Sequence, residues 1–300
     1  MCTTGQLPYS EWSTSDDIMH DRTGLTVKQY GLVYKHIFKH LFTLRQRRMI
    51  TTDNEYLPTP HNMLLLTLYY LRRYRSIDFI AHEFRLSHAT LHHIISTTLD
   101  SLCIYMVPSL IDFLHSILST SPQLDNIANN IKLIVDSTPI CIPQPKSKDE
   151  RKKYYHIKSH TNYAVKFQIA TSLSGMIVSV SDVVHGSMHD NKLFKQSPLP
   201  ALLNDNCQVL GDKGYMGNKH VIIPHKKRKH SEITSSESAI NKIQNSVRVV
   251  VENVFHRIKQ YRIVGTVYQG EKTDTVKISS LVKVVCALTN LIMQDQPVRA

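Results

Sequence analysis

The sequence predicts a mixed α/β domain preceded by an all-α region, and three observations carry that prediction. Between about residues 25 and 118 apolar side chains recur at helical spacing, and from about 131 the period falls to two, as in a strand. A third stretch, Val247, Val250, Val251, Val254, Phe255 and Ile258, falls at offsets 0, 3, 4, 7, 8 and 11 and marks a long helix after the strands. Strands followed by such a helix imply a layered α/β arrangement.

In chain order, residues 1–24 read as a flexible N-terminus, 25–125 as a helical region and 126–295 as the α/β domain. Leu25 to Leu44 and Met63 to Tyr74 are amphipathic, and Leu91, Ile94, Ile95 and Leu99 form a further helical stripe, with Pro58, Pro60 and Pro108 as punctuation. IKLIVD, 131–136, is a short apolar run closed by an acid. NYAVKFQIA, 162–170, alternates with Tyr163, Val165, Phe167 and Ile169 on one face, which predicts a half-buried strand. Ser174 and Gly175 turn the chain into MIVSVSDVV, and CQVLG is another buried strand.

A formal charge of +12 and a pI near 9.4 favour polyanionic partners, nucleic acid first among them, against the alternative of a merely basic soluble protein. The longest uninterrupted apolar run, near Met63 to Leu71, falls short of the roughly 20 residues of a membrane span, so no membrane helix is expected. The N-terminal residues have no secretory pattern. Five dispersed cysteines without CxxC argue against disulfide frameworks and cysteine zinc sites, and are expected to be buried small hydrophobes in a reducing compartment.

Three acids occupy informative places. Asp136 closes IKLIVD, Asp212 closes CQVLG, and Glu252 lies on the side of its helix away from the apolar stripe. If the two aspartates end neighbouring strands, they emerge at one sheet edge, and a helix packed there can bring Glu252 alongside. Clustered carboxylates stay ionised around divalent cations, and all-oxygen ligation selects Mg²⁺ or Mn²⁺ over zinc. Singly, each aspartate also reads as a turn or surface residue, and Glu252 as an ion pair with Arg248 or His256 four residues away.

The ordered words VDSTPICI, YAVKFQIATSLSGMIVSVSDVVHGSMHD, VLGDKGYMG and VRVVVENVFHRIKQYRIV, over roughly 131–290, resemble the DDE superfamily endonuclease domain of Harbinger (PIF) transposases. The resemblance implies an RNase H-like fold and a transposase that cuts phosphodiester bonds at transposon ends and joins the 3′-hydroxyl to target DNA. Its catalytic, metal-binding acids fall on Asp136, Asp212 and Glu252, around two Mg²⁺ or Mn²⁺ ions that Asp136 would bridge. Gly211 and Gly214 would allow close backbone approach to metal and phosphate. His189 and Asp190, in the family's HGSMHD word, would lie near the site, with a helix-capping turn as the alternative. Where the family usually carries glycine after the first acid, this chain has Ser137.

LLLTLYYLRRYRSIDFIAHEFRLSHATLHHII, 64–95, resembles the helix-turn-helix segment preceding that nuclease. Ile77 to Phe84 would be the first helix, Arg85 to Ser87 the turn, and Ser87 the N-cap of a second helix presenting His88, Thr90, His92 and His93 to a DNA groove. An ordinary helical hairpin is the alternative. Lys152 and Lys153 in RKKYYHIK, Lys213 beside Asp212, and Lys226, Lys227, Arg228 and Lys229 in HKKRKH are candidate DNA contacts; the last four read equally as a nuclear import signal or a solvated face. The implied partner is double-stranded DNA, a Myb-like protein and a homo-oligomer being left open, and the implied location is the nucleus. A domesticated descendant that regulates without transposing is the rival reading.

Overall fold

A computed structural model describes residues 8–52, 58–112, 131–203, 207–225 and 233–298. The chain divides into two compact units. The first comprises residues up to Leu110 together with Lys259–Gly265 and Ser280–Ile292, and the second takes Ile111–Ile258, Thr266–Ser279 and the residues from Met293.

The first unit is helical. Its helices are α1 (Tyr9–Trp12), α2 (Asp16–Thr23), α3 (Val27–Thr52), α4 (Pro60–Arg73), α5 (Ile77–Glu83), α6 (His88–Tyr105) and α7 (Val107–Leu110). Within the stretch expected to be flexible, 1–24, the described residues from 8 on form α1 and α2, which bury Trp12 and Met19. Ser15 caps α2, and Gly24 ends it at a φ of 83°. The α4 helix starts with Pro60 in its first turn and a Thr59 cap, and buries Met63 to Tyr69 without a break. The turn between α5 and α6 follows the sequence reading closely. Arg85 takes a left-handed φ of 54°, and the Ser87 hydroxyl accepts the backbone N–H of Thr90 at 3.0 Å. Leu91, Ile94 and Ile95 are buried while His88, His92 and His93 are exposed.

The second unit is built on a mixed sheet of β1 (Ile131–Cys141), β2 (Ala164–Ser172), β3 (Ile177–Val180), β4 (Val184–His185), β5 (Gln208–Leu210) and β6 (Val221–Ile222). Its order is β3-β2-β1-β5-β6, with β4 also on β2. The β1 strand runs antiparallel to β2 and parallel to β5. Between these strands lie α8 (Lys148–Tyr154), α9 (Asp190–Gln196) and α10 (Leu199–Leu202), and after them α11 (Ser235–Lys259); α12 (Arg262–Gly265) and most of α13 (Thr275–Asp295) belong to the first unit.

Every residue of β2 is buried, so the half-buried strand expected from its alternation is corrected. Alternation here separates two covered faces. Phe167 meets Phe255 of α11 edge-on with ring centroids 6.2 Å apart, and on the other face Ala170 joins Leu133, Val135, Phe194 and Leu199 in one cluster. The stripe Val247 to Ile258 is buried as expected. Against expectation, α13 is long and apolar enough to cross a membrane, but 72% of that stretch is buried inside the protein, as in the core helix of a globular fold. Cys207 and Cys286 are buried, whereas Cys103 and Cys141 are only half-buried.

Candidate functional site

The site begins with strand register. In the parallel pair β1 and β5, Ile134 is opposite Leu210 in the last rung. Asp136 and Asp212 each lie two residues beyond that rung, so the two neighbouring segments carry them out of the pairing at equivalent positions. Asp136 nevertheless stands in the middle of its strand, because β1 keeps pairing with β2 as far as Cys141. The end expected at Asp136 is only the end of the β5 pairing.

Beyond that rung a cavity of about 360 Å³ opens, lined by Asp136, Asp190, Asp212, Lys166, His156 and His189 among others. On β1, Asp136 and Ser137 point to opposite faces. Asp136 accepts the N–H of Ser137 at Oδ1 (2.8 Å) and faces the Arg248 guanidinium of α11 at Oδ2 (3.5 Å). Burial pushes its carboxyl up to about 6, against the lowering effects of the Ser137 N–H and Arg248, with the charges of Asp212 and Asp190 adding to the rise. Ser137 donates its hydroxyl to Asp190 Oδ1 at 2.6 Å, and Lys166 donates its ammonium to the same oxygen at 2.8 Å. Burial would raise Asp190, but the hydrogen bonds from Lys166 and Ser137 hold it below the ordinary carboxylate range.

Asp212 accepts the Gly214 N–H at Oδ1 (2.7 Å), which folds the chain into the short 3-10 turn Lys213–Tyr215. A Cβ on Gly214 would stand 2.6 Å from Asp190 Oδ2 and 2.9 Å from Asp212 Oδ1, so these two carboxylates meet over a residue with no side chain. Gly211 has a different reason from the one expected. Its missing side chain makes room for Val221 and Tyr215 in the core, not for a phosphate. Among the described residues the buried Tyr215 hydroxyl has no hydrogen-bond partner, and its titration is pushed well up by burial and then by Asp136, Asp190 and Asp212.

The sequence-derived residues therefore separate. Asp136, Asp212, His189 and Asp190 line one cavity. Asp190 sits at the first position of α9 but spends its carboxylate on Ser137 and Lys166, and His189 makes no side-chain cap, so the capping alternative is not what these side chains do. Glu252 is exposed on α11, one turn after the Arg248 that reaches Asp136, and does not line the cavity. Among the described residues no ion pair joins it to Arg248 or His256; Arg248 pairs with Asp136 instead. Lys152, Lys153 and Lys213 are exposed. In the first unit His88, His92 and His93 are exposed, while Thr90 is half-buried and its hydroxyl accepts from Ser87. Lys226, Lys227, Arg228 and Lys229 lie outside the described residues.

Sequence reasoning missed Lys166 and the destination of Arg248. The signal for Lys166 was a lysine inside a strand with an acid, Asp190, awaiting a partner downstream.

Asp212 Oδ2 and Asp190 Oδ2 have no hydrogen-bond partner among the described residues, so two carboxylate oxygens are available to a cation. That hard-oxygen donor set fits Mg²⁺ or Mn²⁺. No three His, Cys, Asp or Glu side chains stand at ligand spacing among the described residues. Mg²⁺, usually held by one or two carboxylates together with substrate phosphate, does not need such a cage.

Comparison with known proteins fits this arrangement. Residues 135–290, more than half of the chain, match the family model described as DDE superfamily endonuclease. The chain belongs to that family. In this DDE endonuclease, residues 56–108 also match the helix-turn-helix of DDE superfamily endonucleases. It is 25% identical over 216 residues to a probable transposase for insertion sequence element IS702 from Microchaete diplosiphon, covering 70% of this chain and 73% of the relative. Over 155 residues it is 30% identical to a putative transposase for insertion sequence element IS112 from Streptomyces albus G, covering 51% of this chain and 57% of that relative. No solved structure matches it.

Proposed function

We propose that this DDE endonuclease is a Harbinger-type transposase that binds duplex DNA, cuts phosphodiester bonds at transposon ends and joins the freed 3′-hydroxyl to target DNA. The observation that carries the reading is the juxtaposition of Asp136 and Asp212 two residues past one rung of parallel strands, in a cavity shared with Asp190. Asp136 and Asp212 would hold two divalent cations, with the third carboxylate coming either from Asp190 in the cavity or from Glu252, which α11 carries outside it. Bound there, such ions supply Lewis acidity at the phosphate and an activated oxygen nucleophile.

The chain's own residues do the positioning. Lys166 and Ser137 fix one oxygen of Asp190 and turn the other towards Asp212, while Gly214 keeps the space between those carboxylates free. Lys158 and His156, on the cavity wall, offer positive charge and a hydrogen-bonding nitrogen to a phosphate. The helix-turn-helix would hold the transposon end through the major groove. A nuclear location belongs to the same reading.

The test is cleavage of supercoiled plasmid and of transposon-end duplexes by the purified full chain in Mg²⁺ or Mn²⁺. Asp136→Asn, Asp212→Asn and Glu252→Gln should each reduce nicking to background, and double replacements should add little, because the acids act as a unit. Nicking that survives Asp136→Asn or Asp212→Asn would overturn the reading. An active Glu252→Gln beside an inactive Asp190→Asn would transfer the third carboxylate to Asp190.

A further inference from the structure

The connection from β1 to β2 carries apolar side chains where a soluble surface has little use for them. Tyr155 is 50% exposed and Ile157 77% exposed, and both line the mouth of the cavity that holds Asp136 and Asp212. Their neighbours are exposed cations, Lys152, Lys153 and Lys158, the Lys153 ammonium lying over the Tyr154 ring at 5.7 Å from its centroid. Arg151 is different, since its guanidinium donates to the carbonyls of Pro145 and Lys146 and anchors the segment.

The loop that presents these residues is tied down. The N–H of His156 donates to Asn162 O at 3.0 Å, and the N–H groups of Ser159 and Asn162 close two further turns onto His156 O and Ser159 O. Asn162 takes a left-handed φ of 60°, and the Ser159 hydroxyl donates to Tyr163 O. Tyr155 forms an antiparallel bridge with Tyr163 and meets its ring edge-on at 6.5 Å. Apolar groups held out rigidly lose little freedom on binding. Between Tyr155 and Ile157, the buried His156 Nδ1 has no hydrogen-bond partner among the described residues.

We propose that Ile157, with Tyr155 beside it, is a wedge that unstacks a base step of the DNA next to the phosphate held in the cavity. Apolar side chains presented among cations fit this occupant. The lysines hold the backbone on either side, and an isoleucine entering between bases exchanges water for base faces, as apolar wedges do when they kink a duplex. Unstacking also frees the sugar-phosphate link to enter a cavity of about 360 Å³, which has no room for a stacked duplex. Tyr155 supplies a ring on which the displaced base can stack. The inference rests on the nuclease reading and adds to it how the scissile phosphate reaches the acids.

The experiment uses the full chain, without divalent cations, and two short duplexes of one sequence. One is fully paired; the other carries a central mismatch with 2-aminopurine beside it. A wedge prefers the mismatched duplex, where unstacking costs less, by roughly tenfold, and raises the 2-aminopurine fluorescence. Ile157→Ala should bring the preference to near one and abolish the fluorescence rise, while the salt dependence, set by the lysines, stays unchanged. Ile157→Leu should keep all three. Replacing Lys152 and Lys153 by alanine should weaken both duplexes alike.

Preference retained in Ile157→Ala would overturn the wedge. So would a wild type that binds both duplexes equally, with the nuclease reading left intact. A wild type that binds neither duplex at low salt would instead remove the DNA reading on which the wedge depends.

Discussion

Asp136→Asn should make the metal-free protein more stable above neutral pH while destroying its activity. The substitution keeps the shape of a side chain that is 20% exposed and removes its charge. Burial is the largest influence on Asp136 and raises its carboxyl from the ordinary 3.8 to about 6. That gap corresponds to about 3 kcal/mol between protonation states. For a group raised in the native state, the associated stability is fully present below the unfolded value and is lost as pH rises through the folded one. The wild type therefore loses it between about pH 4 and 6, and at pH 8 its native state holds a poorly solvated anion that asparagine does not. The attraction of Arg248 for the carboxylate is already contained in that value. The expected gain is therefore about 3 kcal/mol at pH 8, or a rise of roughly 6–12 °C in Tm for a unit of this size, and none at pH 4. Thermal and urea unfolding with EDTA at pH 4, 6 and 8 measure it. A variant no more stable than wild type at pH 8, or equally stabilised at pH 4, would refute the argument. Added Mn²⁺ should then raise the wild-type Tm and leave the variant's little changed.

Lys166→Met should destabilise by about 3 kcal/mol in urea melts, because Asp190 is left as a half-buried anion without its cation, and adding Asp190→Asn should restore part of the loss. Gly214→Ala should push apart the Asp190 and Asp212 carboxylates and suppress plasmid nicking while moving Tm little, since the crowded atoms are side-chain ends. Ser87→Ala should cost about 1 kcal/mol in urea unfolding through loss of the α6 cap. Replacing Lys226, Lys227, Arg228 and Lys229 by alanine should flatten the salt dependence of DNA binding by about 0.9 in log-log slope per lost phosphate contact. An unchanged slope with lost nuclear accumulation would mark an import signal instead.

What the sequence made legible was local. The Ser87 cap and the buried stripe from Val247 to Ile258 follow from side-chain chemistry and period alone, and both stand in the structure. What it hid depended on partners far along the chain. The run IKLIVD loses its apolar character where β5 stops, yet β1 continues because β2 is still beside it. Lys166 looked like the solvated side of an alternating strand, and only α9, which brings Asp190 over it, explains how a lysine can be 5% exposed. Glu252 and Arg248 looked like helix neighbours satisfying each other; the sheet supplied Arg248 with a different acid, Asp136.

The helical unit is completed by Ser280–Ile292, a stretch of α13 in which Leu281, Val282, Val284, Val285 and Leu288 are all buried. Asn290 donates to the carbonyl of Leu110 at 2.7 Å, across 180 residues of sequence. During translation the first seven helices leave the ribosome without this segment, and at ordinary elongation rates they wait on the order of ten seconds or more for it. Over that interval their apolar surface needs a chaperone or a temporary substitute. A gene copy that has lost its 3′ end accordingly encodes no finished helical unit.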